Sequence, residues 1–129
     1  MIEANYSILI VDDNEMNRDL LSRRLTRQGY KVSIVSNGVE ALEAVRSQKF
    51  NLMLLDVMMP EMNGYQVLEQ LKANGELNAM PVIMISALDE QESIERCLEL
   101  GASDYLTKPF NPMQLKTTVV GLLEKYKHD

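Results

Sequence analysis

The chain has 129 residues, 46% hydrophobic and 25% charged, with a formal net charge of −6, which describes one ordinary globular domain with enough chain to bury a core unaided. The acidic balance argues against nucleic acid as a direct partner, and the longest weakly charged stretch, Phe50 to Met59, is far too short to cross a bilayer. A single cysteine, Cys97, excludes an internal disulfide and fits a reducing cytoplasm, while the amino end lacks the cationic and apolar segments of a secretory signal.

Ser7 to Val11 (SILIV) predicts a first strand that stops at Asp12-Asp13. A helix follows from about Asn14 to Gln28, with Asn14 as N-cap, Met16, Leu20, Leu21 and Leu25 on one side, and Gly29 as its stop. Lys31 to Val35 is the second strand. The second helix opens at Asn37 with Glu40 three residues on, a variant capping box, and faces inward through Ala41, Leu42 and Val45. Leu52 to Leu55 is an unbroken apolar run, as expected of a strand covered on both faces, and it ends on Asp56. Pro60 and Asn63-Gly64 turn the chain into a third helix that buries Val67, Leu68 and Leu71. Gly75 to Ala79 predicts a surface loop, and Pro81 to Ile85 a fourth strand with proline at its tolerated first position. A fourth helix is expected from Asp89, with Glu92 in the capping place and Ile94, Cys97, Leu98 and Gly101 inward. Asp104 to Leu106 is the last strand. Asn111 and Pro112 open a final helix through Leu115, Val119 and Leu122, and Lys125 to Asp129 is expected to fray.

Five strands alternating with five helices imply an α/β fold: a parallel sheet, helices on both faces and right-handed crossovers, in one domain whose core runs from about 7 to 126. All strand carboxyl ends of such a sheet share one edge, where open α/β folds place their sites. Asp12 and Asp13, Asp56, Ser86 and Lys108 each stand where an apolar run stops. Three carboxylates drawn together repel unless cations join them. Lys108 supplies one charge, and a hard divalent ion held through oxygen, magnesium by preference, would supply the rest.

Asp12-Asp13, the LLDVMMPEMNG stretch, Ser86-Ala87 and Lys108-Pro109 resemble, in order and spacing, the receiver domain of two-component response regulators over essentially the whole chain. The resemblance implies a flavodoxin-like (βα)5 sandwich of strand order 2-1-3-4-5. It implies that Asp56 is the phosphoacceptor, attacking the phosphoryl group of a partner phosphohistidine. Asp12, Asp13, Asp56 and the backbone carbonyl of Met58 would bind Mg2+. Lys108 and Ser86 would contact the phosphoryl oxygens, Lys108-Pro109 would be cis, and Tyr105 would be the switch aromatic, entering space that Ser86 leaves. The partners implied are a histidine kinase or histidine phosphotransfer protein and an output reached through the helix 4–strand 5–helix 5 face. A homodimer through helices 4 and 5 stays open. The chain would be no enzyme beyond its own phosphorylation and dephosphorylation, and NEMNR after Asp12-Asp13 is similar to receivers inside larger multidomain proteins.

Bland readings stand beside these. Cys97 reads as a buried small hydrophobe, His128 as a tail residue without a second ligand, and Arg18, Arg23, Arg24 and Arg27 as a solvated face, with partner docking as the sharper alternative. The nine methionines mostly fill core, with Met58, Met59 and Met62 set apart near the site. Two other functions compete: a magnesium-dependent aspartyl-phosphate phosphatase, which usually carries an acid where Met58 stands, and a pseudo-receiver that is never phosphorylated. A nucleotide- or flavin-binding fold would need a glycine-rich loop where Asp12-Asp13 stands.

Overall fold

The computed structural model describes residues 6–126. Five parallel strands, β1 (Ser7–Val11), β2 (Lys31–Val35), β3 (Leu52–Asp56), β4 (Val82–Ser86) and β5 (Asp104–Thr107), form a single sheet in the order β2-β1-β3-β4-β5. Five helices alternate with them: α1 (Glu15–Arg27), α2 (Gly38–Ser47), α3 (Gly64–Ala73), α4 (Gln91–Glu99) and α5 (Pro112–Tyr126).

The pleat sorts the apolar residues into two cores. Ile8, Ile10, Leu52, Leu54, Ile83 and Ile85 pack with Leu21 and Leu25 of α1 and Leu115, Val119 and Leu123 of α5. Leu9, Val11, Met53, Leu55 and Met84 pack with Ala41 and Leu42 of α2, Val67, Leu68 and Leu71 of α3, and Cys97 of α4. Successive side chains of a strand point to opposite faces, so β3 and β4 are buried throughout and β1 from Ile8 onward, and they read as continuous apolar runs rather than alternating ones. β2 lies at the edge, and Ile34 there is exposed.

Local chemistry sets the helix starts. Asn14, Asn37 and Asn63 each accept a backbone N–H three residues on. At α3 the box closes both ways, Gln66 accepting from Asn63 N and Asn63 from Gln66 N. Because this cap ends the loop that follows Asp56, Asn63→Ala is expected to lower stability by about 1 kcal/mol. The check is a lower urea midpoint at unchanged slope.

Several expectations are corrected. α4 starts at Gln91, not Asp89, behind Glu90, whose side chain makes no capping bond, and it buries Ser93 and Cys97 while Leu98 is exposed. On α1 only Leu21 and Leu25 are buried, because a narrow stripe suffices against one sheet face, and Met16 and Leu20 project outward. On α5 Leu123 joins Leu115 and Val119 in the core, while Leu122 packs at the margin. Glu76–Asn78 forms a short 3-10 turn within the expected loop. The α1 arginines are not uniformly solvated, since Arg18 and Arg24 are half-buried. His128 lies outside the described residues.

Candidate functional site

The carboxyl edge of the sheet gathers the predicted polar residues. Asp12 follows β1 and is 2% exposed, Asp13 beside it is exposed, Asp56 closes β3 at 6%, and Ser86 closes β4 fully buried. Lys108 reaches in from beyond β5. Its backbone N–H donates to the Ser86 carbonyl over 2.7 Å, which ties its turn to the neighbouring strand end, and the peptide bond to Pro109 is cis. Its Nζ stands 3.3 Å from Asp12 Oδ2 and 3.7 Å from Asp56 Oδ2.

One carboxylate oxygen from each of Asp12, Asp13 and Asp56 lies within 4.8 Å of the others. Hydrogen bonds hold these groups. Asp12 Oδ1 accepts from Asn14 N at 2.9 Å, and Asp56 Oδ1 accepts from Met58 N at 3.3 Å. Burial, reinforced by the charges of Asp12 and Asp13, pushes the Asp56 carboxyl up to about 6 against the downward pull of the Lys108 ammonium and the Met58 N–H. Three acids against the single ammonium of Lys108 form a converging, oxygen-only and electrically unbalanced donor set. That is the chemistry a hard divalent cation satisfies, so the residues fit a metal there.

Ser86 Oγ accepts from Leu88 N at 3.1 Å, closing a tight turn beyond β4. Tyr105 is half-buried, and its hydroxyl donates to the Leu88 carbonyl over 2.7 Å. The Tyr105 ring packs, partly buried, against the core that includes Cys97 of α4. Met58 is 60% exposed over the site, and Leu88 is half-buried.

Two contributors escaped the sequence reading. Arg18 Nη1 donates to the Asp12 carbonyl at 2.8 Å, so one of the supposed solvated arginines braces the acidic strand end. It sits six residues past Asp12, on the turn of α1 that looks back toward the sheet edge, and that spacing was the available signal. Ser93 is the other. It is a polar residue one helical turn before Cys97 on the buried face of α4, and it bonds to both Tyr65 and Tyr105.

The response regulator receiver domain model matches residues 8–120. The regulatory protein PhoP of alkaline phosphatase synthesis in Bacillus subtilis is 40% identical over 121 residues, which cover 94% of this chain and 50% of that protein. A Francisella response regulator receiver domain superposes with a TM-score of 0.89 at 30% identity, covering 95% of this chain and all of that one. The receiver domain of the sensor histidine kinase PA1611 from Pseudomonas aeruginosa, which has a magnesium ion coordinated in its active site cleft, superposes with a TM-score of 0.85 at 30% identity, covering 94% and 99%. The chain spans about half the length of the curated relatives it matches. On sequence and fold together, the chain belongs to the response regulator receiver domain family.

Proposed function

We propose that this chain accepts a phosphoryl group on Asp56 from a phosphohistidine of a histidine kinase or histidine phosphotransfer protein, and passes the change to an output through α4, β5 and α5. The observation that carries this reading is the meeting of Asp12, Asp13 and Asp56 within 4.8 Å, faced by the Lys108 ammonium. An Asp56 carboxylate oxygen attacks phosphorus. The P–N bond of the phosphohistidine breaks, its electron pair stays on the imidazole, and an acyl phosphate forms. Phosphoryl transfer asks the protein for alignment and for charge stabilisation on the equatorial oxygens. Lys108 Nζ, already between Asp12 and Asp56, is placed to meet one oxygen, and the Ser86 hydroxyl supplies a donor for another. Asp12, Asp13, Asp56 and the Met58 carbonyl would hold Mg2+, which when bound supplies further charge neutralisation.

Docking of the donor is supported by a groove of about 370 Å3 that runs from Lys108, Pro109 and Phe110 to Leu20, Leu21 and Arg24 of α1, with the outward side chains of Met16 and Leu20 nearby. Among the described residues no helix is long and apolar enough to cross a membrane, and the cytoplasm is the setting that fits such a donor. The chain carries out only its own phosphorylation and dephosphorylation.

Incubation with acetyl phosphate and magnesium, followed by intact-mass measurement, tests the reading. One phosphoryl group on Asp56 is expected. No gain would make the chain a pseudo-receiver, and sustained turnover of an aryl phosphate would make it a phosphatase. Loss of the phosphoryl group is expected to be slow, because neither Met58 nor Leu88 offers a side chain that orients water well. Met58→Asn should shorten the half-life about fivefold, the worth of one hydrogen bond to an attacking water. An unchanged half-life refutes that role for position 58.

A further inference from the structure

Away from the acidic rim, hydroxyls from α3, α4 and β5 form one line. Tyr65 Oη lies 2.6 Å from Ser93 Oγ, Ser93 Oγ lies 3.2 Å from Tyr105 Oη, and Tyr105 Oη is 2.7 Å from the Leu88 carbonyl oxygen. The protons on this line have one allowed order. A carbonyl only accepts, so the single Tyr105 proton is committed to Leu88. The Tyr105 oxygen must then accept from Ser93, which uses the only proton Ser93 has. Tyr65 therefore donates to Ser93. A chain of this polarity strengthens along its length. Ser93 is 6% exposed, so a break leaves its buried hydroxyl short of a partner. The head of the line is held as well, because the Arg96 guanidinium carbon stacks 4.0 Å from the centroid of the Tyr65 ring.

The tail of the line touches the switch. Leu88 takes the Tyr105 proton on its carbonyl and gives its own N–H to Ser86 Oγ. The anchor of the tyrosine and the hydroxyl that ends β4 thus belong to one turn.

We propose that Tyr65 and Ser93 are positioning residues for the phosphoacceptor switch, whose hydroxyls hold Tyr105 inward on the Leu88 carbonyl and so bias the chain toward its phosphoryl-loaded state. This rests on the reading of Asp56 given above. By linkage, whatever favours the inward state raises the affinity for a phosphoryl group or its mimic by the factor through which the loaded state is preferred.

Tyr65→Phe is the test, because it removes the first donor while keeping the ring under Arg96. Beryllofluoride with magnesium is titrated in, with bound fluoride followed by fluorine NMR and the Tyr105 ring by proton NMR. Tyr65→Phe is expected to bind beryllofluoride about fivefold more weakly, the scale of one lost hydrogen bond, and to move the Tyr105 ring signals of the free chain. In a Tyr105→Phe background the same substitution should add nothing, since both act through one oxygen. Ser93→Ala should match or exceed Tyr65→Phe, and Ser93→Thr, which restores the hydroxyl, should recover parental binding. Parental affinity with unmoved Tyr105 signals in Tyr65→Phe overturns the proposal, as does an effect that adds fully to that of Tyr105→Phe. If the parent itself takes up no beryllofluoride, the Asp56 reading fails instead, and the Tyr105 signals of the free variants still decide whether the hydroxyl line positions the ring.

Discussion

Asp56→Asn is expected to abolish phosphoryl uptake from acetyl phosphate and, in metal-free buffer at pH 7.5 (a pH above about 6), to make the fold more stable than the parent by about 1–3 kcal/mol. The first effect follows because an amide oxygen is too weak a nucleophile to displace a leaving group from phosphorus. The second follows from the cost of holding a charge in that place. The Asp56 carboxyl, ordinarily at 3.8, is pushed up to about 6 by burial and by its acidic neighbours. The folded state therefore binds this proton more tightly than the unfolded chain does. The resulting stabilisation is complete below the unfolded value and is lost as pH rises from about 4 through about 6, after which a fixed penalty remains. Asparagine has no such penalty. The gap between variant and parent should be small near pH 4 and reach its full size above pH 7, a profile that urea unfolding with a chelator at several pH values measures directly. Magnesium should narrow the gap by binding the native parent, whose three carboxylates are intact. A variant that labels like the parent, or a gap that does not change between the two ends of this pH range, contradicts the site as described.

How far this site could be read in advance depends on which contacts are local. The Leu52–Leu55 run followed by Asp56 was legible because both faces of a central parallel strand are covered and its end is not. Asp12, Ser86 and Lys108 were legible for the same reason: one rule of topology brings every strand end to one edge. The caps at Asn14, Asn37 and Asn63 were legible because a cap is decided within four residues. The start of α4 was not, since Asp89, Glu90 and Glu92 offer competing acidic starts and tertiary packing chooses among them. Nor was the inward Tyr105, whose placement depends on a carbonyl 17 residues away, or Ser93, whose partners come from α3 and β5. On α1, Leu20 and Leu21 are indistinguishable by type. Packing of α1 on the sheet buries Leu21 and leaves Leu20 exposed.

Gly64→Ala is expected to destabilise the fold by about 1–3 kcal/mol and to slow phosphoryl uptake by Asp56 substantially. Gly64 is the first residue of α3, and its N–H donates to the Val57 carbonyl at 2.8 Å, so the helix start is pressed against the end of β3. A methyl group there would lie 2.6 Å from the Asp56 carbonyl oxygen and 2.8 Å from Val57 Cα, with Met84 Cε at 3.0 Å. The two closest neighbours are backbone, so no rotamer change relieves the overlap, and either the helix start or the strand end must move. Movement of the strand end displaces Asp56, and a shift of about 1 Å in a reacting group can cost about a hundredfold in rate. Gly121 supplies the control. It lies inside α5 with nothing within 4 Å of its would-be methyl group. Gly121→Ala should therefore gain the ordinary helix preference of alanine, roughly 0.5–1 kcal/mol, and leave phosphorylation alone. The same chemical change is thus expected to carry opposite signs at two positions. Urea midpoints and acetyl phosphate labelling rates of the pair distinguish the outcomes: if Gly64→Ala is as stable and as reactive as Gly121→Ala, the close contact between α3 and the strand carrying Asp56 does not constrain the site.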